Sequence, residues 1–356
     1  TEGPVLLHVI TQKGKGYTNA EDAPDKMHAF APPKPVKKDP PKPQYAEVFA
    51  DTAIQLAALD ARIVAVTPAM LSGSKLTKFA AVYPERCIDV GIAEQHAATL
   101  CAGLAASGMR PLLAIYSTFM QRAYDQIIHD ICIQNLPVVI AVDRAGIVGP
   151  DGETHQGVFD IAYLRTIPNI TVMMPKDENE FRHMLHTAFT LGTPTAVRYP
   201  RADGLGVACD EPFHLLPIGR AEVLREGNDV VLLALGPMVE VAENAADELK
   251  QSGITATVVN MRFVKPLDHA LLMELAKSCQ RFVTIEEGSI AGGMGSAVME
   301  SLAMQHVVGV EVMMIGLPDH FVEHGDRATV LAALGLTPEH VAERIRLQFP
   351  LKQKRA

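Results

Sequence analysis

The chain of 356 residues contains no run of eighteen apolar residues, no C-x-x-C pair, no H-E-x-x-H, no Walker loop and no G-x-S-x-G. Those absences remove a membrane-spanning helix, a paired-cysteine metal or redox site, a zinc-protease helix, a P-loop and a hydrolase nucleophile elbow from consideration. The first residues also lack the charged-then-apolar pattern of a signal peptide. Cysteine is scarce: five residues, Cys87, Cys101, Cys132, Cys209 and Cys279, widely spaced and mostly in apolar runs. They read as reduced core residues of a reducing compartment, not as a disulfide framework or a zinc site. Positive charge is in deficit as well. A net charge of −9 and a pI near 5.8 argue against a general nucleic-acid or anionic-membrane surface, while local arginine clusters still suit phosphate. What is present is ordinary globular material, 48% hydrophobic and 21% charged, enough for two or three domains.

Residues 5–11, Val-Leu-Leu-His-Val-Ile-Thr, read as a buried strand that needs a partner elsewhere, and the chain opens without Met. The expectation is that further sequence precedes Thr1, with residues 1–30 the tail of another domain. Residues 31–44 form a Pro- and Lys-rich, extended linker. From Tyr45 to about residue 208, helix and continuous apolar strand alternate, which predicts an α/β fold with a doubly wound parallel sheet covered on both faces. From about residue 218 to 356 a second alternating unit predicts a smaller α/β domain. Ligands of such sheets bind at the carboxyl ends of the strands.

The strongest local signal is Glu94, in Gly91-Ile-Ala-Glu-Gln-His-Ala-Ala-Thr99. It falls in the first turn of a predicted helix, Ala93–Ser107, that opens just after a strand. The helix is small and apolar on most faces, so the acid is expected in a dry pocket that favours its neutral form; support of the helix dipole is the alternative. Tyr116, Ser117, Phe119 and Arg122 follow the next strand and open a helix expected over Ala123–Ile133. An aromatic ring beside a guanidinium suits a flat heterocycle and a phosphate, with core packing as the competing use. The loop Asp143–Gly157 offers Arg144, Asp151 and His155, the last able to shuttle a proton near neutral pH; a plain turn is the other reading. Arg198-Tyr-Pro-Arg201 ends the last strand with two guanidiniums that serve either a ligand or ion pairs. Gly292-Gly-Met-Gly295 lacks the full dinucleotide fingerprint and reads as a tight strand-to-helix turn. His96, His129 and His183 read as structural histidines.

Taken together, Ile92–His96, Tyr116–Gln126, Asp143–Val148 with Asp151–Gly157, Arg198–Arg201, Met261–Asp268 and Gly316–Asp319 closely resemble the 1-deoxy-D-xylulose-5-phosphate synthase family of the transketolase-like, thiamine diphosphate-dependent enzymes. The resemblance implies a pyrimidine-binding transketolase-like domain followed by a transketolase C-terminal domain. It implies decarboxylative joining of pyruvate to D-glyceraldehyde 3-phosphate, feeding isoprenoid, thiamine and pyridoxal synthesis. By the same resemblance Glu94 contacts the cofactor's aminopyrimidine, Phe119 stacks on it, and His28 lies near the cofactor. Tyr116, Arg122, Arg144 and Arg201 hold the phosphorylated acceptor, and Asp151 and His155 position substrates and manage protons. Magnesium and the diphosphate would be held by a Gly-Asp-Gly motif in an N-terminal domain that this sequence does not contain. That implies a fragment inactive unless complemented, a homodimeric assembly and a cytoplasmic home, bacterial by default with a plastid as the alternative. Two other readings stand beside it: the β-type half of a split thiamine-dependent transketolase or 2-oxoacid dehydrogenase, and a non-catalytic dimerisation module.

Overall fold

The structure, a computed structural model, describes residues 1–23, 27, 42–209 and 212–349. The chain divides into two compact units, Thr1–Pro41 and Lys42–Ala356. In the first, the described residues contain one short helix, Thr18–Asp22. The strand expected over residues 5–11 is not there. Those residues pair with no neighbour among the described residues and lie open, Leu6 at 94% and Ile10 at 88% exposure, because an extended segment becomes a strand only when another backbone takes up its N–H and C=O groups. His28 and most of the expected linker lie outside the described residues.

The second unit carries twelve strands among its described residues. The first six are β1 (Ile63–Thr67), β2 (Cys87–Asp89), β3 (Arg110–Tyr116), β4 (Val139–Asp143), β5 (Thr171–Met173) and β6 (Thr195–Arg198). The rest are β7 (Glu222–Arg225), β8 (Val230–Ala234), β9 (Ala256–Asn260), β10 (Phe263–Lys265), β11 (Arg281–Ser289) and β12 (Glu311–Leu317). A seven-stranded sheet runs β10-β5-β6-β4-β3-β1-β2, and a five-stranded sheet runs β12-β11-β8-β9-β7. Strands β1 and β4 are buried at every residue, which the apolar runs at residues 63–66 and 139–142 require of a sheet sandwiched between helices. Alternate residues serve opposite faces. Val64, Val66, Leu113 and Ile115 pack with Ala97, Ala98 and Cys101 of the helix Glu94–Ala106. Ile63, Ala65, Leu112 and Ala114 pack with the helices Tyr45–Leu59 and Glu178–Leu191. The latter helix is bounded by an Asp177 cap, which accepts the Glu180 N–H at 2.7 Å, and by Gly192 at φ +72°.

The alternation predicted a parallel sheet for the first unit, and β1–β6 are parallel, but each sheet carries one antiparallel edge pair. β7 pairs antiparallel with β9, and β10 leaves the second alternating unit to pair antiparallel with β5. The two layered halves are therefore stitched by a shared sheet. The seam is also ionic: Arg262 Nε meets Glu180 Oε1 at 2.6 Å, and Lys176 Nζ meets Glu222 Oε2 at 2.9 Å. The helix expected over Ala123–Ile133 begins earlier and is broken, as Ser117–Met120, a 3-10 turn Gln121–Ala123, a helical turn Tyr124–Gln126 and a π-helical stretch Ile127–Cys132. A π stretch widens the turn, a feature often found beside functional sites. A further helix, Arg327–Ala333, had no counterpart in the sequence reading. Among the described residues no helix is long and apolar enough to cross a membrane.

Candidate active site

The carboxyl ends of β3, β4 and β6, together with the loop after β2, carry Tyr116, Phe119, Arg122, Arg144, Asp151, His155, Arg201 and Glu94. Glu94 is the first residue of its helix and is 5% exposed. It does not lie alone in an apolar pocket, as expected from the small residues around it. Its Oε1 accepts a hydrogen bond from Arg122 Nη1 at 2.8 Å, and the arginine side chain is 58% exposed. Among the described residues, Oε2 of Glu94 accepts no hydrogen bond, and it is not one of the fully buried polar atoms left without a partner, so it retains access to solvent.

Beside it runs a chain of rings and guanidiniums. Arg122 stands over the Phe119 ring at 5.2 Å, and Tyr116 stacks on Phe119 with centroids 5.6 Å apart. His155 meets Phe119 edge-on at 5.3 Å, with its Nδ1 held by Thr154 Oγ1 at 2.8 Å. Arg144 covers the other ring, 3.6 Å from the Tyr116 centroid, close enough for a cation–π contact. Burial pushes the Tyr116 hydroxyl up to about 12, so it stays a proton donor. Gly73 makes room for that hydroxyl: a Cβ there would lie 1.7 Å from Tyr116 Oη.

Arg144 has φ +58°, rare for a branched-chain-free but bulky side chain, and is held by Asp143 at both its N–H (2.6 Å) and its Nη1 (2.7 Å). Burial raises the Asp143 carboxyl to about 6, against the pull of Arg144. The loop that follows folds back on itself. Gly146 and Gly157 exchange backbone bonds of 2.6 and 2.8 Å, and Thr118 Oγ1 donates to the Thr154 carbonyl at 2.9 Å. A Cβ on Gly157 would sit 2.0 Å from the Arg144 carbonyl oxygen. Arg201 and Asp151 pair with each other at the exposed rim.

The structure thus links Glu94, Arg122, Phe119, Tyr116, Arg144 and His155 through successive contacts, and joins Arg201 to Asp151. Ser117 is 1% exposed and packs beneath Gly157, so it is not presented to a ligand. Arg198 does not serve a ligand either. It is fully buried and forks onto Asp160 at 2.7 and 2.9 Å, the ion-pair use of that motif. Gly292–Gly295 is the expected strand-to-helix turn, and the helix N–H groups of Met294 and Gly295 bond Glu286, both at 2.8 Å. Of the histidines read as structural, His183 is buried and accepts the His214 N–H at 3.1 Å. His129 is exposed and pairs with Asp130 at 2.8 Å, while His96 is exposed beside Glu94. Cys209 is exposed, unlike the buried Cys101, Cys132 and Cys279. The sequence reading missed Asp143 and Gly73. An acid closing an all-apolar strand before a glycine-rich loop was the available signal for the first.

The donor set suits an aminopyrimidine. It has a largely buried acid with one oxygen uncommitted, an aromatic face reached through the guanidinium of Arg122, and cations at the rim. Among the described residues no group of three or more His, Cys, Asp or Glu is placed to hold a metal ion.

Comparison with known proteins agrees with the two-part α/β fold. Residues 41–204 match the family described as "Transketolase, pyrimidine binding domain", and residues 219–341 match "Transketolase, C-terminal domain". The chain is 54% identical over its whole length to a 1-deoxy-D-xylulose-5-phosphate synthase of Desulforudis audaxviator, covering 56% of that protein. It is 52% identical, again over its whole length, to that of Shouchella clausii, covering 58%. The chain therefore spans little more than half the length of the curated relatives it matches. Among solved structures, a split-gene transketolase described as an inactive β4 tetramer superposes with a TM-score of 0.77 at 33% identity, over 88% of this chain and 100% of that one. A transketolase from Campylobacter jejuni shares the fold, with a TM-score of 0.71 at 18% identity over 85% of this chain and 46% of that one.

Proposed function

This chain belongs to the transketolase family, matching the C-terminal portion of 1-deoxy-D-xylulose-5-phosphate synthases, and we propose that it supplies the pyrimidine-facing and acceptor-facing side of such an enzyme's active site. The reaction proposed joins pyruvate, with loss of CO2, to D-glyceraldehyde 3-phosphate and gives 1-deoxy-D-xylulose 5-phosphate. The observation that carries the proposal is Glu94, buried at a helix start, with one carboxylate oxygen uncommitted and the other joined through Arg122 to the Phe119 ring. Thiamine diphosphate, when bound, supplies the electron sink that decarboxylation requires. Glu94 holds and exchanges a proton with the aminopyrimidine ring, while Phe119 packs against that ring's face. Arg122 sets the orientation of the Glu94 carboxyl through the 2.8 Å bond.

Acceptor binding falls to Arg144, Arg201 and Tyr116, whose two cations and hydroxyl suit a phosphate. Arg201 engages a phosphate only by exchanging Asp151, its partner in the absence of substrate. His155, oriented by Thr154 and packed on Phe119, moves a proton at the reacting oxygen. The magnesium and diphosphate ligands come from a domain outside these residues, on the same or a separate polypeptide, and the working enzyme is a cytoplasmic homodimer.

A second reading is kept because the split-gene transketolase chain is covered in full by this one. This chain would then be the β-type half of a two-part transketolase. The product decides. With a diphosphate-binding domain, magnesium and thiamine diphosphate added, deoxyxylulose phosphate and CO2 from pyruvate support the synthase. Ketose-to-aldose transfer without CO2 release supports the transketolase half, and neither product rejects both readings.

A further inference from the structure

The loop bearing Arg144, Asp151 and His155 is gripped from the second sheet, and we infer that Glu287, with Arg327 as its counter-charge, is the positioning residue that sets this loop for the phosphorylated substrate. The inference rests on the functional reading above. Glu287 lies on β11 and is fully buried. Its Oε2 accepts the Ile147 N–H at 3.0 Å, its Oε1 accepts from Arg327, and its backbone carbonyl receives Arg198 Nη2 at 3.5 Å. The loop is pressed onto the carboxylate: a Cβ on Gly146, whose φ is +84°, would lie 2.4 Å from Oε2. Only glycine permits that approach.

A second tie runs the other way. Gln156 Oε1 accepts the Val148 N–H at 2.7 Å, while its Nε2 donates to the carbonyls of Val322 and Glu323 at 3.4 and 3.3 Å. Gly325 N–H also reaches the Gly149 carbonyl at 3.3 Å. Residues 322–327 and β11 therefore clamp both ends of the loop. Ile147 is three residues from Arg144, whose left-handed backbone persists only where its surroundings hold it. A charged acceptor on a buried N–H is a strong tether, and removing it leaves both that N–H and most of Arg327 buried without a partner. In this account the C-terminal domain contributes to acceptor binding through the loop and not by touching substrate.

The test compares Glu287→Leu, which removes the acceptor, with Glu287→Gln, which keeps one. In the chain itself, Glu287→Leu is expected to speed amide exchange at residues 145–149 by about ten-fold, while β8 and the helix Met294–Met304 keep their protection. In the complemented enzyme the KM for glyceraldehyde 3-phosphate is expected to rise about ten-fold with the pyruvate KM within about two-fold, and Glu287→Gln to recover most of both effects. Unchanged loop exchange, equal loss of protection across the second sheet, or parallel shifts of both KM values would overturn the inference. If Glu287→Leu does not fold, Arg327→Met is read against the same outcomes. A complemented wild-type sample that makes no deoxyxylulose phosphate rejects the functional reading instead, and the exchange comparison then decides whether Glu287 holds the loop.

Discussion

Arg198 and Arg201 leave the same strand end three residues apart, and both meet an aspartate, yet they belong to different kinds of region. Arg198 and Asp160 are wholly buried in the seam where the two sheets meet, whereas Arg201 and Asp151 are 42% and 33% exposed. In the seam, each charge has a fixed, forked partner, and neither can leave without stranding the other. At the rim, water screens the pair and a competing anion can displace one member. The same contrast separates Glu287, locked onto Ile147 and Arg327, from Glu94, which holds a half-exposed arginine with one oxygen and leaves the other uncommitted.

The sharpest break in that comparison comes from Glu94→Gln. Removing its proton exchange is expected to lower turnover of the complemented enzyme by at least about 100-fold, while stability shifts by less than about 1 kcal/mol because its partner Arg122 is largely exposed; activity assays beside denaturant melts read both. The two arginines come next. Arg198→Met should destabilise the fold by about 3–5 kcal/mol by leaving Asp160 buried and unpaired. Arg201→Met should cost less than about 1 kcal/mol in stability yet raise the KM for the phosphorylated aldehyde about ten-fold, more than that for pyruvate. Equal stability losses in the two variants would erase the distinction between seam and rim.

Glu286 sharpens the seam by pH. Burial raises its carboxyl from 4.5 to about 7, so the folded state binds the proton more tightly than the unfolded one. Its contribution is complete below about pH 4.5 and is lost as pH rises through about 7, by up to about 3 kcal/mol. Melts from pH 5 to 8 should therefore show the wild type losing stability relative to Glu286→Gln as pH rises; a constant difference would contradict this. The smallest kinetic effect is expected from Gly73→Ala. Its Cβ would meet Tyr116 Oη at 1.7 Å, so the ring must shift, costing about 1–3 kcal/mol and raising the aldehyde KM a few-fold, visible in the same kinetic assay.

The frame and the site were unequally legible in the sequence. β4 is apolar from Val139 to Val142, the kind of run that the alternation of helix and strand rests on. β7 and β10 are short edge strands whose identity depends on partners far along the chain, Asn260 for Glu222 and Met173 for Phe263, and no local period records that. The residues now linked around Phe119 were visible because each follows a strand end, where ligand-binding groups gather. Glu287 and Asp160 were not, because what makes them matter is a partner 140 residues away in one case and 38 in the other. The break in the helix after Tyr116 was hidden too, since its apolar spacing fits an α-helix as well as the π stretch that forms.

The central claim is that this chain carries one side of a thiamine diphosphate site and needs the other. It is tested most directly by assaying deoxyxylulose phosphate formation from pyruvate and glyceraldehyde 3-phosphate, with magnesium and thiamine diphosphate present, first with the chain alone and then with a diphosphate-binding domain of a relative added. The account predicts no turnover from the chain alone and product once the domain is supplied. Turnover by the chain alone would contradict it.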